Sequence, residues 1–298
     1  MEQEKKIHVI GVQMDKGAGT RGVDMGPYAI RYAGLIDGIK NLGYDCVDKG
    51  DIISTKEGIT SNNMKNFDVV SDINTQLYNS VCKSFDDGAL PVILGGDHSI
   101  AAGSISATAQ KYKNIGVIWV DAHGDWNSAD SSPSGNMHGM PFSAVCGAGP
   151  KEMIEFGQEH CFVDTKNCVQ IGGRDIDSIE KLRMKEHGVT VFSIADIDRL
   201  GMPEVVRQAI EIASNGTEGF HLSYDVDAIT PEAAPGTGTI VHSGLTVREA
   251  FYLVETIAQT GKMLAIDMVE VNPMLDDHNR TGVLASELIL AAIGKTVY

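Results

Sequence analysis

The sequence predicts an α/β protein with three layers, in which helices cover both faces of a mainly parallel central sheet. Three observations lead to this fold class. Short runs rich in β-branched residues recur along the chain, several of them are apolar throughout, and segments with helical spacing lie between them. Strands that are apolar on both faces are typical of a parallel sheet buried beneath helices, and strands that alternate with helices are typical of this three-layer architecture.

Seven runs fit buried strands. In chain order they are residues 7–13, 91–96, 115–123, 168–175, 189–194, 219–227 and 262–271. The spacing of apolar residues predicts helices between them, for example over residues 100–112, 179–187, 202–214, 247–260 and 284–293. No segment resembles a linker, so we expect one domain over residues 1–298. The Ser-rich stretch 127–136 lies between two groups of polar residues, which favours an active-site loop.

Composition and charge narrow the classes of partner. The chain has 298 residues, of which 43% are hydrophobic and 21% charged, and its formal net charge is −16. Because such a surface repels nucleic acids and anionic membranes, we expect neither as a partner. The sequence has neither a long apolar run nor the features of a signal peptide. The five cysteines are odd in number and form no Cys-x-x-Cys pair, which favours reduced thiols in a cytoplasmic protein over disulfides or a catalytic cysteine.

Acidic and histidine side chains follow three of the predicted strands. His98 comes after the first of these strands, Asp121, His123 and Asp125 end the second, and Asp225 and Asp227 end the third. Residues two apart in an extended chain share one face, and ligands of open α/β sheets bind at the carboxyl ends of the strands. Each residue taken alone would be an ordinary capping or loop residue. Their agreement across several strand ends predicts one shared site.

This set of two imidazoles and four carboxylates predicts a metal centre. Four carboxylates in one buried pocket cannot all remain ionised without cations, and two divalent ions would balance their formal charge of about −4. Mixed nitrogen and oxygen ligands with carboxylates in the majority suit manganese or a similar hard-to-borderline ion. Two such ions close together can hold a hydroxide at neutral pH, which makes a hydrolase the expected class of enzyme.

Five motifs together resemble the ureohydrolase family, which includes arginase, agmatinase, guanidinobutyrase, formimidoylglutamase and proclavaminate amidinohydrolase. In chain order they read GGDHS, DAHGDWN, SGNMHGMP, SYDVDAITP and IDMVEVNP. The similarity covers nearly the whole chain and is greatest to bacterial-type arginases. It implies the arginase-like fold, a homo-oligomer that is a trimer or a hexamer, and hydrolysis of L-arginine to L-ornithine and urea.

The resemblance also implies the role of each ligand. One Mn²⁺ ion would bind His98, Asp121, Asp125 and Asp225, and the other would bind His123, Asp121, Asp225 and Asp227. Asp121 and Asp225 would therefore bridge the two ions, and Asp125 would also accept a hydrogen bond from the bridging hydroxide.

Three further residues match catalytic or substrate-contacting positions of the family. His138 matches a histidine that shuttles protons, Glu270 a carboxylate that holds the guanidinium group, and Thr239 a hydroxyl on the substrate side. The chemistry agrees with these roles, because a planar cation is oriented by paired hydrogen bonds to a carboxylate and a leaving amine needs a proton.

Recognition of the amino-acid end of arginine is implied by three other segments. Asn127 and Ser134 match residues that bind the α-carboxylate, and Asn136 lies beside them. Asp177, with Glu180 behind it, matches the acidic segment that binds the α-amino group.

Departures from the family pattern keep other substrates open. Thr230-Pro231 stands where the family usually has Asp-Pro, and Ile240 replaces the usual proline after Gly238-Thr239. Residues 234–239 resemble the corresponding agmatinase segment. The alternatives are therefore an agmatinase or another ureohydrolase acting on a guanidino compound, a metal-dependent amidohydrolase outside the family, and a non-catalytic regulatory homologue.

Overall fold

Eight parallel strands form the centre of the molecule in a computed structural model that describes residues 5–156 and 160–296. The strands are β1 (Lys6–Val12), β2 (Asp45–Ile52), β3 (Ala89–Leu94), β4 (Gly116–Val120), β5 (Cys168–Gly173), β6 (Thr190–Ser193), β7 (Phe220–Asp225) and β8 (Met263–Val269). Their order in the sheet is β2-β1-β3-β8-β7-β4-β5-β6, and every pairing between neighbours is parallel.

Ten α-helices connect these strands in the described part of the chain. They are α1 (Gly26–Tyr32), α2 (Leu35–Asn41), α3 (Phe67–Asp86), α4 (Ala101–Tyr112), α5 (Pro141–Val145), α6 (Ser178–His187), α7 (Ile194–Leu200), α8 (Met202–Ala213), α9 (Val247–Thr260) and α10 (Arg280–Ala292). None of the helices within residues 5–156 and 160–296 combines the length and the hydrophobicity needed to cross a bilayer.

Two apolar cores lie on the two faces of the sheet. On one face the strands pack against α1, α2, α8, α9 and α10, and on the other against α3, α4 and α5. Strand β4 contributes side chains to both cores: Ile118 and Val120 lie in the first core, and Val117 and Trp119 lie in the second. Because successive side chains of a strand alternate between faces, a strand between two helical layers must be apolar throughout. The predicted three-layer α/β/α fold is confirmed.

All seven predicted strands form, but several end earlier than predicted. Strand β4 ends at Val120 and β7 at Asp225, so most of the polar residues predicted at their ends lie in the loops that follow. The predicted helices also form, although α10 begins at Arg280 instead of residue 284. Helix α10 packs internally, since its residues Leu288 and Ile289 are fully buried in the first core.

Strand β2 and helix α3 were not among the predicted elements. Strand β2 lies at the edge of the sheet, and most of its side chains are exposed, so its sequence DCVDKGDI lacks the apolar run used to recognise buried strands. Helix α3 did carry a signal, because its buried residues Val70, Ile73, Leu77 and Val81 recur with helical spacing.

The five cysteines are free thiols. Cys168 is buried and the other four are partly buried, which fits the expected role of small packing residues. The Sγ atoms of Cys146 and Cys168 lie 3.6 Å apart without a covalent bond.

Candidate metal centre

The predicted metal ligands meet at the carboxyl ends of three strands in the middle of the sheet. His98 lies in the turn after β3, Asp121 directly follows β4, and Asp225 is the last residue of β7. Strands β3, β8, β7 and β4 are consecutive in the sheet, so residues more than a hundred positions apart become neighbours. The folding of the parallel sheet itself therefore assembles the site.

His98 is the centre of one group of ligands. Its Nδ1 atom lies 3.0 Å from an oxygen of Asp121, 3.1 Å from one of Asp125 and 3.3 Å from one of Asp225. This nitrogen is buried and makes no hydrogen bond of acceptable geometry in the structure. A buried imidazole nitrogen that faces three carboxylate oxygens is a ligand set suited to a cation.

His123 is the centre of a second group. Its Nδ1 atom lies 3.0 Å from an oxygen of Asp227 and 3.3 Å from Oδ1 of Asp121. Since the other oxygen of Asp121 faces His98, one carboxylate belongs to both groups. Two overlapping groups that share a carboxylate are the arrangement expected of a binuclear centre.

Burial makes this collection of charges unfavourable without cations. The four carboxylates have side chains at most 8% exposed. Burial and the charge of Asp121 raise the pKa of Asp125 to about 7, and burial and the charges of Asp227 and Asp121 raise the pKa of Asp225 well above its usual value. Burial opposes ionisation of Asp121 as well, but its close contacts with the imidazoles of His123 and His98 lower its pKa. The residues therefore fit divalent metal ions, which would stabilise the ionised carboxylates.

Neighbouring side chains that the sequence did not single out hold two of the ligands. The Nε1 atom of Trp119 donates a hydrogen bond to Oδ2 of Asp121 at 3.0 Å, and its ring stacks on that of His98 with centroids 4.0 Å apart. Phe142 stacks on Trp119 in turn, at 4.6 Å between ring centroids. An aromatic residue in an apolar strand, such as Trp119, is expected to be a core residue. The sequence alone therefore does not indicate that Trp119 also supports two metal ligands.

Two of the predicted catalytic carboxylates lie on left-handed backbone. Asp125 has φ of 47° and Glu270 has φ of 64°. This conformation is unfavourable for residues other than glycine and is concentrated at functional sites. At Glu270 the surrounding structure holds it in place, since the backbone N–H donates to the carbonyl of Gly96 at 2.8 Å.

His138 and Glu270 form a pair beside the metal ligands. The Nδ1 atom of His138 lies 3.0 Å from Oε1 of Glu270, and the same oxygen accepts a hydrogen bond from the backbone N–H of His98. Burial alone would lower the pKa of His138, but its hydrogen bond to Glu270 and the charges of Glu270 and Asp125 outweigh burial and raise the pKa to about 9.

A polar cavity of about 190 Å³ opens above the metal ligands. Among the residues that line it are Asn127, Ser134 and Asp177, which the sequence predicts to converge although they are distant along the chain. The other predicted site residues in its lining are His123, Asp125, Asn136, His138, Glu180, Asp225 and Thr239. Glu270 does not line the cavity but lies behind His138.

The predicted substrate residues make different kinds of contact in the structure. The Nδ2 atom of Asn127 donates to Oδ2 of Asp177 at 3.4 Å, which links two of them at the cavity wall. Glu180 accepts hydrogen bonds from the backbone N–H groups of Trp126 and Asp177, so it holds the start of α6 in place. The Oγ1 atom of Thr239 donates to Oδ2 of the metal ligand Asp227 at 2.9 Å.

Asp175 is a lining residue that the sequence analysis missed. Its side chain is 72% exposed, and one oxygen lies 4.0 Å from Nε2 of His123, on the side away from the carboxylates. A signal was present, because Asp175 and Asp177 have the same two-residue spacing as the other acidic pairs.

A larger cavity of about 650 Å³ lies between α6 and the edge strand β6. Its lining is mainly apolar, with Ile176, Met184 and Val191 among its members, and Asp196 is the only carboxylate among the described residues that form it. Size alone therefore does not identify the site, which is recognised by its ligand chemistry.

Known proteins share both the sequence and the fold. The family model described as the arginase family matches residues 5–294. The chain is 43% identical to an arginase of Staphylococcus aureus (strain MRSA252) over 100% of both chains. It is 42% identical to the arginase of Bacillus subtilis (strain 168), over 98% of this chain and 99% of the relative.

The chain belongs to the arginase family. The solved structure of the arginase from Bacillus caldovelox superposes with a TM-score of 0.95, at 40% identity, and the match covers 99% of this chain and 100% of that one. The candidate metal centre of this arginase-family member therefore lies in a fold that the chain shares, over nearly its whole length, with the Bacillus caldovelox arginase.

The pair of His138 and Glu270 predicts a pH dependence of stability in the metal-free form of this arginase-family protein. Because folding raises the pKa of His138 from 6.5 to about 9, the stabilisation is fully present below pH 6.5 and is lost as the pH rises through about 9. We expect His138→Gln to lower the free energy of unfolding by on the order of 2 kcal/mol at pH 6 and by much less at pH 10. Urea denaturation of chelator-treated protein at both pH values measures this difference. An effect of equal size at both would contradict the assignment.

Proposed function

We propose that the protein hydrolyses L-arginine to L-ornithine and urea, using two Mn²⁺ ions per subunit. The observation that carries the proposal is the pair of ligand groups that share Asp121, beside a polar cavity lined by His123, Asp125 and Asp225. The substrate is inferred from the full-length relatives, which are arginases and are 43% and 42% identical to this chain.

Each proposed ion has four protein ligands. One would be held by His98, Asp121, Asp125 and Asp225, and the other by His123, Asp121, Asp225 and Asp227. The chemistry supplied by such a pair of ions is the activation of a water molecule for attack at neutral pH. The distances of 3.0–3.3 Å from the two Nδ1 atoms to the carboxylates support this division for every ligand except Asp225 at the second ion, where its role is inferred from the family resemblance.

Three residues are proposed to act on the reacting atoms. The carboxylate of Asp125, which faces the cavity, accepts a hydrogen bond from the attacking water. Glu270 orients the planar guanidinium ion, which requires the ring of His138 to turn away from it, since the two are in contact in this structure.

His138 supplies the proton that the reaction needs. When the bond between the guanidinium carbon and the side-chain nitrogen of the substrate breaks, that nitrogen takes up a proton and leaves as the amine of ornithine. His138 is placed for this transfer because its side chain is 18% exposed and reaches both the cavity and the buried carboxylates. A histidine that titrates near neutrality can carry a proton to the leaving nitrogen.

The cavity wall is proposed to select the amino-acid end of arginine. Asn127 and Ser134 donate hydrogen bonds to the α-carboxylate, with Asn136 beside them, and Asp177 binds the α-ammonium group. Glu180 positions Asp177, because its carboxylate accepts a hydrogen bond from the backbone N–H of Asp177. Thr239 contributes a hydroxyl next to Asp227. Because a net charge of −16 disfavours binding of a carboxylate, this group of the substrate needs hydrogen-bond donors in the cavity wall.

The whole chain is proposed to form a single domain, which its one continuous sheet supports. The expected trimer or hexamer and the cytoplasmic location stay predictions from the sequence.

Urea release tests the reaction. Purified protein loaded with Mn²⁺ should release urea from L-arginine, and treatment with a chelator should abolish the activity until Mn²⁺ is added back. The reason is that attack on the delocalised guanidinium carbon needs a strong nucleophile, which a water molecule activated by the ions supplies at neutral pH. Full activity in protein shown to be free of metal would overturn the proposal.

Substrate selection is tested by comparing arginine with agmatine, which lacks the α-carboxylate. Donors in the cavity that find no carboxylate stay unpaired, so we expect a strong preference for arginine. Asp177→Ala should reduce kcat/KM for arginine by roughly ten- to a hundredfold, as expected for loss of a hydrogen bond to a charged group, with both ions still bound. Asp130→Ala is the matched control, because Asp130 is an exposed aspartate of the loop 127–136 that lies outside the cavity lining.

Equal rates on agmatine and arginine would mean that the carboxylate site does not exist and would favour an agmatinase. Equal losses of kcat/KM in Asp177→Ala and Asp130→Ala would mean that Asp177 acts only through its negative charge and does not bind the α-ammonium group directly.

A further inference from the structure

A group of polar side chains is buried in the layer between the sheet and α4, beneath the metal ligands. His221, Ser223 and Asp225 are two residues apart along β7, so they share the face that α4 covers. Asp267 of β8 lies in register with Ser223, on the same face. Ser104 and Thr108, four residues apart on α4, complete the group. We call Thr108, His221, Asp267, Ser104 and Ser223 the polar column, and each of its members is 0% exposed.

Polar contacts connect the members of the polar column. Thr108 Oγ1 lies 2.9 Å from Nδ1 of His221, whose Nε2 lies 3.0 Å from Oδ2 of Asp267. The same carboxylate oxygen accepts hydrogen bonds from the hydroxyls of Ser104 at 2.8 Å and Ser223 at 3.2 Å. Asp267 is therefore the acceptor shared by the hydroxyls of Ser104 and Ser223, with the ring of His221 beside it.

The polar column ends at a metal ligand. The Oγ atom of Ser223 lies 2.9 Å from Nε2 of His98. Because the single hydroxyl proton of Ser223 is donated to Asp267, its oxygen can only accept a hydrogen bond from His98. Nε2 of His98 must then carry a proton, which leaves Nδ1 to face the carboxylates of Asp121, Asp125 and Asp225.

The location of the polar column argues against a role in packing alone. Its surroundings are apolar, with Ile105, Val117 and Ala265 among the neighbouring core residues. Burying a carboxylate, an imidazole and three hydroxyls is less favourable than burying apolar side chains of similar volume, even when the polar groups are paired. A fold stabilised by apolar packing has no need of such a group at this depth.

We propose that Asp267 is a positioning residue for the metal centre, acting through Ser223 to fix the orientation and the protonated nitrogen of His98. The inference rests on the proposed function only in requiring a cation at His98, and it does not depend on the identity of the substrate. Asp267 touches neither the cavity nor a proposed metal ligand, so its effect is on metal affinity and reaches the reaction only through the metal.

Two variants test the connection at different points. Asp267→Asn removes the charge that orients the Ser223 hydroxyl, and Ser223→Ala removes the link between Asp267 and His98 with little change in volume. Loss of a partner that orients a metal ligand typically weakens metal binding by roughly ten- to a hundredfold, and we expect this loss for one of the two Mn²⁺ ions in each variant. Because both changes break one connection, the double variant should bind Mn²⁺ about as weakly as either single variant.

Ser84→Ala is the matched control. Ser84 is fully buried on α3, and its Oγ lies 3.0 Å from Nδ1 of His8, which makes it a second buried serine–histidine contact remote from the metal centre. This variant should lose stability in the same way as Ser223→Ala while its affinity for Mn²⁺ stays that of the unaltered protein. Titration with MnCl₂ followed by electron paramagnetic resonance gives the affinities, and circular dichroism shows that each variant is folded.

Selective loss of Mn²⁺ affinity in both the folded Asp267→Asn and the folded Ser223→Ala proteins, with Ser84→Ala unaffected, supports the proposal. Unaltered affinity in Asp267→Asn would overturn it, even if Ser223→Ala bound Mn²⁺ more weakly, and so would an equal loss in all three proteins. Urea release by the unaltered protein separates this question from the proposed function. If the unaltered protein binds Mn²⁺ but releases no urea from arginine, arginine hydrolysis is refuted, while the affinities of the variants still decide the role of Asp267.

Discussion

The concentration of buried negative charge is the constraint on which the rest of the site depends. Four carboxylates surround two imidazoles at distances near 3 Å, and their side chains are almost completely buried. Such a cluster is unfavourable as an array of bare anions, as the raised pKa values of Asp125 and Asp225 show. Divalent cations offset the repulsion between the buried carboxylates. The stability of this arrangement of side chains therefore depends on metal binding.

The parallel sheet supplies the precision that this centre needs. Ligands from β3, β7 and β4, together with Glu270 after β8, come from four consecutive strands, and each strand is fixed by its neighbours and by apolar cores on both faces. Arg174 fixes the loops beyond the strands, since its guanidinium donates hydrogen bonds to backbone carbonyls that include those of Asp227 and Val241. The rigid elements hold the metal ligands, while the loop over residues 127–136 forms part of the cavity wall.

Much of the fold and of the ligand set could be predicted because both depend on patterns along the chain. Fully apolar runs identify strands buried on two faces, and acids spaced by two residues at their ends identify side chains that share a face. Strand β2 escaped this reasoning because an exposed edge strand has no apolar run to recognise. The predictions also extended β4 and β7 too far, because polar residues with strand-like spacing continue into the loops.

The contacts behind the ligands could not be predicted, because they depend on which strands become neighbours. Ser223 and Asp267 are 44 positions apart and meet only through the register of β7 and β8. The contact of His138 with Glu270 is likewise a product of the fold, and it places Glu270 behind the cavity and not in its wall. A polar residue inside an otherwise apolar strand, such as Asp267 in MLAIDMV, is the one sequence signal that points to such contacts.

Anomalous X-ray diffraction from crystals of the Mn²⁺-loaded protein, collected at the manganese absorption edge, tests the central claim most directly. We expect two anomalous peaks per chain. One peak should lie within bonding distance of Nδ1 of His98 and the other within bonding distance of Nδ1 of His123, and the carboxylate of Asp121 should contact both ions. A single peak, or two peaks away from these nitrogens, would contradict the assignment of a binuclear centre to this cluster of carboxylates.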